Sequence, residues 1–305
     1  MSTSSPPLDG VQGTSAGAPS ATASGSGGGP LARPAVGRFL RSELALVFRR
    51  RRNLVLLAVL ALVPVLIGVA IRLSSSSPNP GEGPQFIDRI AGNGLFLSLT
   101  ALVVVLPLFL PLAVSVISGD SVAGEASLGT LRSLLVVPVR RGRLLAVKYT
   151  AVVAFCFAAV LVVAVAGALT GFALFPVGPV TLLSGSTIPL AEAVFRALLI
   201  ALYVGVSMAG LAAIGLFVST LTEVPVGAMA ATLTLSIVSQ VLDAIPQVAS
   251  IHPYLFSHRW LAFGDLLRQP VAGGDLLLGI GTQAAYIAVF LVLAWTRFDT
   301  SDVSS

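Results

Sequence analysis

Apolar runs of roughly 20 residues recur along this chain, at 54–73, 95–118, 144–170, 193–221, 226–248 and 276–296. A run of that length crosses the hydrocarbon core of a bilayer as an α-helix. Charged residues make up 10% of the sequence, against about a quarter in a soluble globular protein. These features predict an all-α transmembrane protein, a six-helix polytopic bundle.

The segments between the runs give the organisation. Residues 1–35 are Ser, Gly, Ala, Pro and Thr with almost no large apolar side chain, so they bury too little surface to offset the entropy of ordering and read as a disordered tail. They lack the basic head and apolar stretch of a signal peptide. Residues 36–300 form the membrane domain. It opens with an elbow helix at 36–52, where Phe39, Leu40, Leu44, Val47 and Phe48 share a face opposite Arg38, Arg41 and Glu43, and where the run from Arg49 to Arg52 anchors the membrane edge. Pro64 lies within the first run, and Pro107 and Pro111 lie one turn apart in the second, where missing N–H groups bend a helix. The fourth run carries Gly205, Ser207, Gly210, Ala213 and Gly215, small enough for neighbouring helices to approach closely. Glu192 and Arg196 stand at i,i+4 spacing for an ion pair. Residues 250–275 are too polar for a span and too apolar for a free loop. They read as short interfacial or re-entrant helices, with Trp260 as a belt residue.

The one substantial polar interruption in the N-terminal half is 119–143, continuing to Lys148. Asp120 or Ser121 is placed to cap a helix start, and Asp120 and Glu125 put negative charge at the positive end of its dipole. Val122, Leu128, Leu131, Leu134 and Leu135 recur at three- and four-residue spacing, and Pro138 stops the helix. Arg140, Arg141, Arg143 and Lys148 follow as a basic anchor. The expectation is a short amphipathic helix, 121–137, lying flat at a membrane surface.

Glu125, Gly129, Thr130, Leu131, Leu134, Leu135, Pro138, Arg141 and Lys148 fit the pattern E-x-x-x-G-T-L-x-x-L-L-x-x-P-x-x-R-x-x-x-x-x-x-K. This pattern resembles that of the permease subunits of type-2 ATP-binding-cassette exporters. The resemblance implies that 119–143 is a cytoplasmic coupling loop whose helix docks in a cleft of a separate ATPase subunit. It implies a second permease chain as partner, an elbow helix at 36–52, and short helices between the last two spans on the outer side. Closure of the ATPase dimer would push the coupling helix and move spans one, two and five against their symmetry mates. Glu125 would contact basic groups on the ATPase or cap the elbow, Gly129 would permit close approach, and Leu131, Leu134 and Leu135 would supply apolar contact. Arg140, Arg141 and Lys148 would set depth against anionic lipid headgroups.

Orientation follows from the basic residues. Six spans with both termini inside place Arg33, Arg38, Arg41, Arg49 to Arg52, Arg132, Arg140, Arg141, Arg143, Lys148 and Arg297 on the cytoplasmic side of a cell membrane. Only Arg72, Arg89, Arg196, Arg259 and Arg268 are left outside. The clustering of these charges at span ends, with no recognition motif, argues against nucleic acid as a partner. Lys148 is the only lysine, and it does not follow a phosphate-binding G-x-x-x-x-G-K-[S/T] pattern. No ATPase activity and no bound cofactor are therefore expected of this chain, ATP and Mg2+ belonging to a partner subunit. No Ser/His/Asp or Cys/His catalytic arrangement is visible, and Cys156 lies in an apolar run.

Asp243, Gln240 and Ser236 fall in the outer half of span five. An ionisable group inside a span is a candidate for a transport path; Asp243 also lies near enough to Pro246 to reach the headgroups. His252 and His258 lack helical H-x-x-x-H spacing and a cysteine ligand, so the sequence assigns no metal site. Two other functions compete with the exporter: a secondary transporter driven by an ion gradient, and a membrane anchor or assembly factor that docks a cytoplasmic ATPase and moves nothing. Apolar spans suit a hydrophobic or amphipathic cargo.

Overall fold

The computed structural model describes residues 33–74, 93–127, 141–182, 184–271 and 273–300. They form a mostly helical membrane protein. The α-helices are α1 (Arg33–Arg49), α2 (Arg51–Ser74), α3 (Leu95–Val105), α4 (Phe109–Ser127), α5 (Arg141–Leu174), α6 (Leu190–Ser219), α7 (Pro225–Asp243) and α8 (Gly274–Thr300). Five of them, α2, α5, α6, α7 and α8, are each long and apolar enough to cross a membrane. The pair α3 and α4 makes a sixth crossing if counted as one span, bent by 58°.

Contacts at the helix ends show that the crossings alternate in direction. One end of the bundle is basic: Arg50 and Arg52 meet Asp120 there, and Lys148 meets Glu125. At the far end Asn93 donates to the Gly178 carbonyl at 2.7 Å, and Asp243 meets His258. The Asn93 side-chain oxygen accepts from Leu95 N–H at 3.0 Å, starting α3. A small antiparallel hairpin, β1 (Val180–Thr181) with β2 (Thr187–Ile188), also lies at this end, its turn using Gly185 at φ +84°. This hairpin departs from a purely helical reading.

Helix α6 is the axis of the bundle; 72% of its most apolar window is buried. Its small residues do what their spacing predicts. A Cβ on Gly215 would collide with the Ser118 side chain on α4, so these helices touch where both residues are small. Exposed apolar side chains are spread over the helices, including Phe195, Leu198 and Leu202 at the start of α6. They also include Val55, Leu62 and Leu66 on α2 and Leu277 and Val289 on α8.

The bend between α3 and α4 has a local cause. Neither Pro107 nor Pro111 has an N–H, so the ladder loses two rungs one turn apart and residues 106–108 leave the helix. Pro111 would otherwise pair with the Pro107 carbonyl. That carbonyl accepts instead from Gln240 Nε2 on α7 at 2.9 Å. Pro64, by contrast, sits within a continuous α2.

Three expected boundaries shift. Asp120 and Ser121 are not a helix start, because α4 runs unbroken from Phe109 to Ser127. The change from apolar to polar side chains at Gly119 marks where the helix leaves its apolar surroundings. Gly119 is there for packing, since a Cβ would lie 2.7 Å from Met229 N on α7. Residues 121–127 therefore end the second span, and the remainder of the expected coupling helix lies outside the described residues. Span five stops at Asp243, earlier than the hydropathy suggests, because Pro246 begins a 3-10 segment, Pro246–Tyr254. A second 3-10 segment, Ala262–Leu267, follows. These are the short helices expected at 250–275, but Trp260 is 3% exposed and packs on Phe256 at 5.7 Å between ring centres. It is a core residue, not a belt residue.

Candidate functional site

At the basic end four elements converge on a polar cleft. Glu43 and Val47 come from α1, Arg52 and Asn53 from the start of α2, Asp120 and Glu125 from the end of α4, and Lys148 from the first turns of α5. Asn53 Nδ2 donates to the Val47 carbonyl at 2.7 Å, which satisfies an open acceptor at the end of α1 and fixes the turn between α1 and α2. Phe48 packs on Phe155 of α5 with ring centres 6.2 Å apart. Helix α1 is thus tied to α2 by a side-chain hydrogen bond and to α5 by an aromatic contact.

Lys148 is the centre of the cleft. It is 5% exposed, and its Nζ donates to Glu125 Oε1 at 2.5 Å, with Glu43 Oε2 4.0 Å away. Two carboxylates from different helices thus face one buried ammonium. Such a group keeps its charge only if paired. Glu43 was expected on the solvent side of α1 and instead faces inward, 9% exposed. A helical wheel sorts side chains by polarity alone and has no knowledge of the lysine on α5. Glu125, at the end of α4, is the nearer of the two carboxylates to Lys148.

Asp120 makes a second node. Its Oδ2 accepts from Arg50 Nη1 at 2.5 Å and Arg52 Nη2 at 2.7 Å. Both arginines are nearly half exposed, so screening by water keeps each pair weak. The arginine run read as a membrane anchor also fastens α2 to α4. One turn further, Ser219 at the end of α6 inserts its hydroxyl against α4. It donates to the Gly119 carbonyl at 2.7 Å and accepts from the N–H groups of Val122 at 3.1 Å and Ala123 at 2.9 Å. Gly119 and Ala123 are partners in the helical ladder, so this hydroxyl ties the polar end of α4 to the central helix.

Of the residues expected at the coupling site, Asp120, Glu125 and Lys148 are brought together. Arg141 begins α5. Gly129, Thr130, Leu131, Leu134, Leu135 and Pro138 lie outside the described residues. The residues that sequence reasoning missed here are Glu43, Asn53 and Ser219. A lone acid among the arginines of α1 was the available signal for Glu43. Nothing marked Ser219.

The expected path residues separate into two groups at the far end. Ser236 is fully buried, and Gln240 Nε2 lies 3.4 Å from its hydroxyl while donating to Pro107. Gln240 is therefore occupied in closing the bend. Asp243, one turn on, pairs with His258, and His252 lies beside them. Arg196 pairs with Glu192 through Nη2 at 2.7 Å, as its spacing predicts. It also donates to the Leu266 and Arg268 carbonyls at 2.8 and 3.0 Å, which ties the second 3-10 segment to α6.

Among curated proteins the chain finds no match. One family does match, over residues 55–304, a range that takes in every helix from α3 onward, the cluster at the far end, and Asp120, Glu125 and Lys148 of the cleft. The chain belongs to that family, described as DUF2705, protein of unknown function.

Proposed function

We propose that this chain is the membrane-spanning permease subunit of a type-2 ATP-binding-cassette exporter. It would move a hydrophobic or amphipathic cargo with energy from a separate cytoplasmic ATPase. One observation carries the reading: Glu125 and Lys148, the first and last residues of the coupling-loop pattern, form a part-buried ion pair. The stretch between them is closed at its base. A load applied to that stretch passes directly to α4 and α5, and through Glu43 to α1. This is the connection a coupling loop needs, and it gives a reason for a charged residue at each end of the pattern. In this reading the basic end faces the cytoplasm of a cell, where Asp120, Arg50 and Arg52 brace the loop base. The exposed apolar faces of the outer helices meet lipid and a second permease chain.

The test is co-expression with candidate ATPase subunits, followed by co-purification in detergent and ATP-dependent cargo transport in proteoliposomes. Wild type is expected to retain one ATPase, and Leu131→Asp with Leu134→Asp to lose it while the chain stays folded. Transport is expected to stop with an ATPase unable to hydrolyse ATP. Failure of every ATPase to bind, or transport that persists under an ion gradient without one, would overturn the reading.

A further inference from the structure

Outside the cleft, the chain's two histidines meet at the far end. Asp243 is the last residue of α7, His252 lies in the segment Pro246–Tyr254, and His258 follows in the turn beyond it. One ligand atom from each can be chosen so that all three lie within 4.8 Å of one another. All three side chains are partly exposed, at 26%, 16% and 32%, so solvent reaches the cluster.

The hydrogen bonds fix which atoms are available. His252 Nε2 lies 3.1 Å from the Leu242 carbonyl and 3.1 Å from the Ile245 carbonyl. Both partners only accept, so Nε2 carries the hydrogen and Nδ1 presents a lone pair. Nδ1 is the atom turned to Asp243, 3.9 Å from Oδ1. An imidazole whose distal N–H is held by backbone carbonyls, with the other nitrogen left to coordinate, is the usual outer-shell arrangement of a metal ligand. His258 Nδ1 lies 2.5 Å from the same Asp243 oxygen. The neighbouring cation, Arg259, is turned away toward the Pro253 carbonyl at 3.2 Å and Asp275 at 3.8 Å.

We infer that Asp243, His252 and His258 form a binding site for a divalent transition-metal ion of the Zn2+ type, with a further coordination position open. Zn2+ with nitrogen and oxygen ligands at about 2.0–2.2 Å in tetrahedral geometry holds its donors about 3.3–3.6 Å apart. The two observed separations, 2.5 and 3.9 Å, fall on either side of that range. Loading would move His258 outward by about 1 Å and His252 inward by about 0.5 Å on that geometry. As the ion enters, the hydrogen on His258 Nδ1 would give up its place on that atom, the neutral ring then carrying its hydrogen on Nε2. Two imidazoles and one carboxylate suit Zn2+ better than Mg2+ or Ca2+, which prefer all-oxygen shells. Sequence spacing hides this site, because a turn and a 3-10 segment bring the ligands together, not one helix face. The inference is independent of the transport proposal.

The experiment uses the full chain in detergent, carrying a tag without histidine and stripped by chelator. Zn2+ is titrated by calorimetry, and Co2+ by its visible absorption. The expected result is saturable binding of about one ion per chain, a Co2+ spectrum of low-coordinate type, and a raised thermal midpoint with Zn2+. His252→Asn and His258→Asn should each weaken binding by about tenfold or more, since loss of even an outer-shell partner costs roughly that much. Asn at 258 can still donate to Asp243, so that variant separates coordination from the structural hydrogen bond. Absence of saturable binding by wild type, or wild-type affinity retained in both variants, would overturn the proposal. If the variants do not fold, the wild-type Co2+ spectrum decides: a spectrum of hexa-aqua type means an adventitious ion only.

Discussion

Gln240 Nε2 donates to the Pro107 carbonyl at 2.9 Å, across from α7 to the break between α3 and α4. The acceptor is open because Pro111, four residues on, has no N–H to offer. A side chain from one helix thus supplies the hydrogen bond that another helix lacks.

Gln240→Leu should therefore destabilise the chain by about 1–3 kcal/mol, the cost of a stranded polar group. Pro111→Ala restores the missing donor, so the two changes together should cost less than their sum. Thermal unfolding of the four proteins in detergent measures this coupling; strict additivity would show that Gln240 does not serve Pro107.

Lys148→Met should cost about 3–5 kcal/mol, because it leaves Glu43 and Glu125 facing each other without their cation. Adding Glu125→Leu to it should recover part of the loss, since a pair of apolar residues tolerates burial. Chemical denaturation of single and double variants tests this. A double variant worse than Lys148→Met alone would contradict the assignment of Glu125 as the primary partner.

Arg50→Ala and Arg52→Ala should each change stability by roughly 0–1 kcal/mol, because both side chains are nearly half exposed and each leaves the other on Asp120. Removing both should weaken the α2–α4 contact more. Raised salt should shrink all of these differences in a melting series.

Two glycine substitutions should act in opposite directions. Gly119→Ala places a methyl against the backbone of Met229 and should destabilise by about 1–3 kcal/mol through overpacking. Gly281→Ala, within α8 and facing open space, should stabilise by about 0.5–1 kcal/mol through helix propensity. A midpoint for Gly119→Ala at or above that of wild type would refute the α4–α7 packing described.

What the sequence revealed depended on the range of the interaction. The spans were legible because hydropathy is a local average, and Arg196–Glu192 because i,i+4 spacing is fixed by the helix itself. The close packing of Gly215 was legible because a row of small residues has one common use. Glu43 and Asp120 were misplaced for the same reason in two forms. Each was judged by its neighbours in sequence, while its position is set by Lys148 or by Arg50 and Arg52 on other helices. The cluster of Asp243, His252 and His258 was invisible because its geometry comes from non-helical turns after Pro246, where no periodicity guides the eye.

The broken second span has a mechanical consequence. Its upper arm, α3, packs chiefly on α5, while its lower arm, α4, packs chiefly on α6 and α7. The span is thus a crank shared by two groups of helices, with residues 106–108 as its elbow. Bending at that elbow would cost no ladder bond at Pro107 or Pro111, because those two rungs are already absent, while the neighbouring rung from Leu106 N–H to the Leu102 carbonyl remains. Gln240, which belongs to the lower group, grips the pivot from the side.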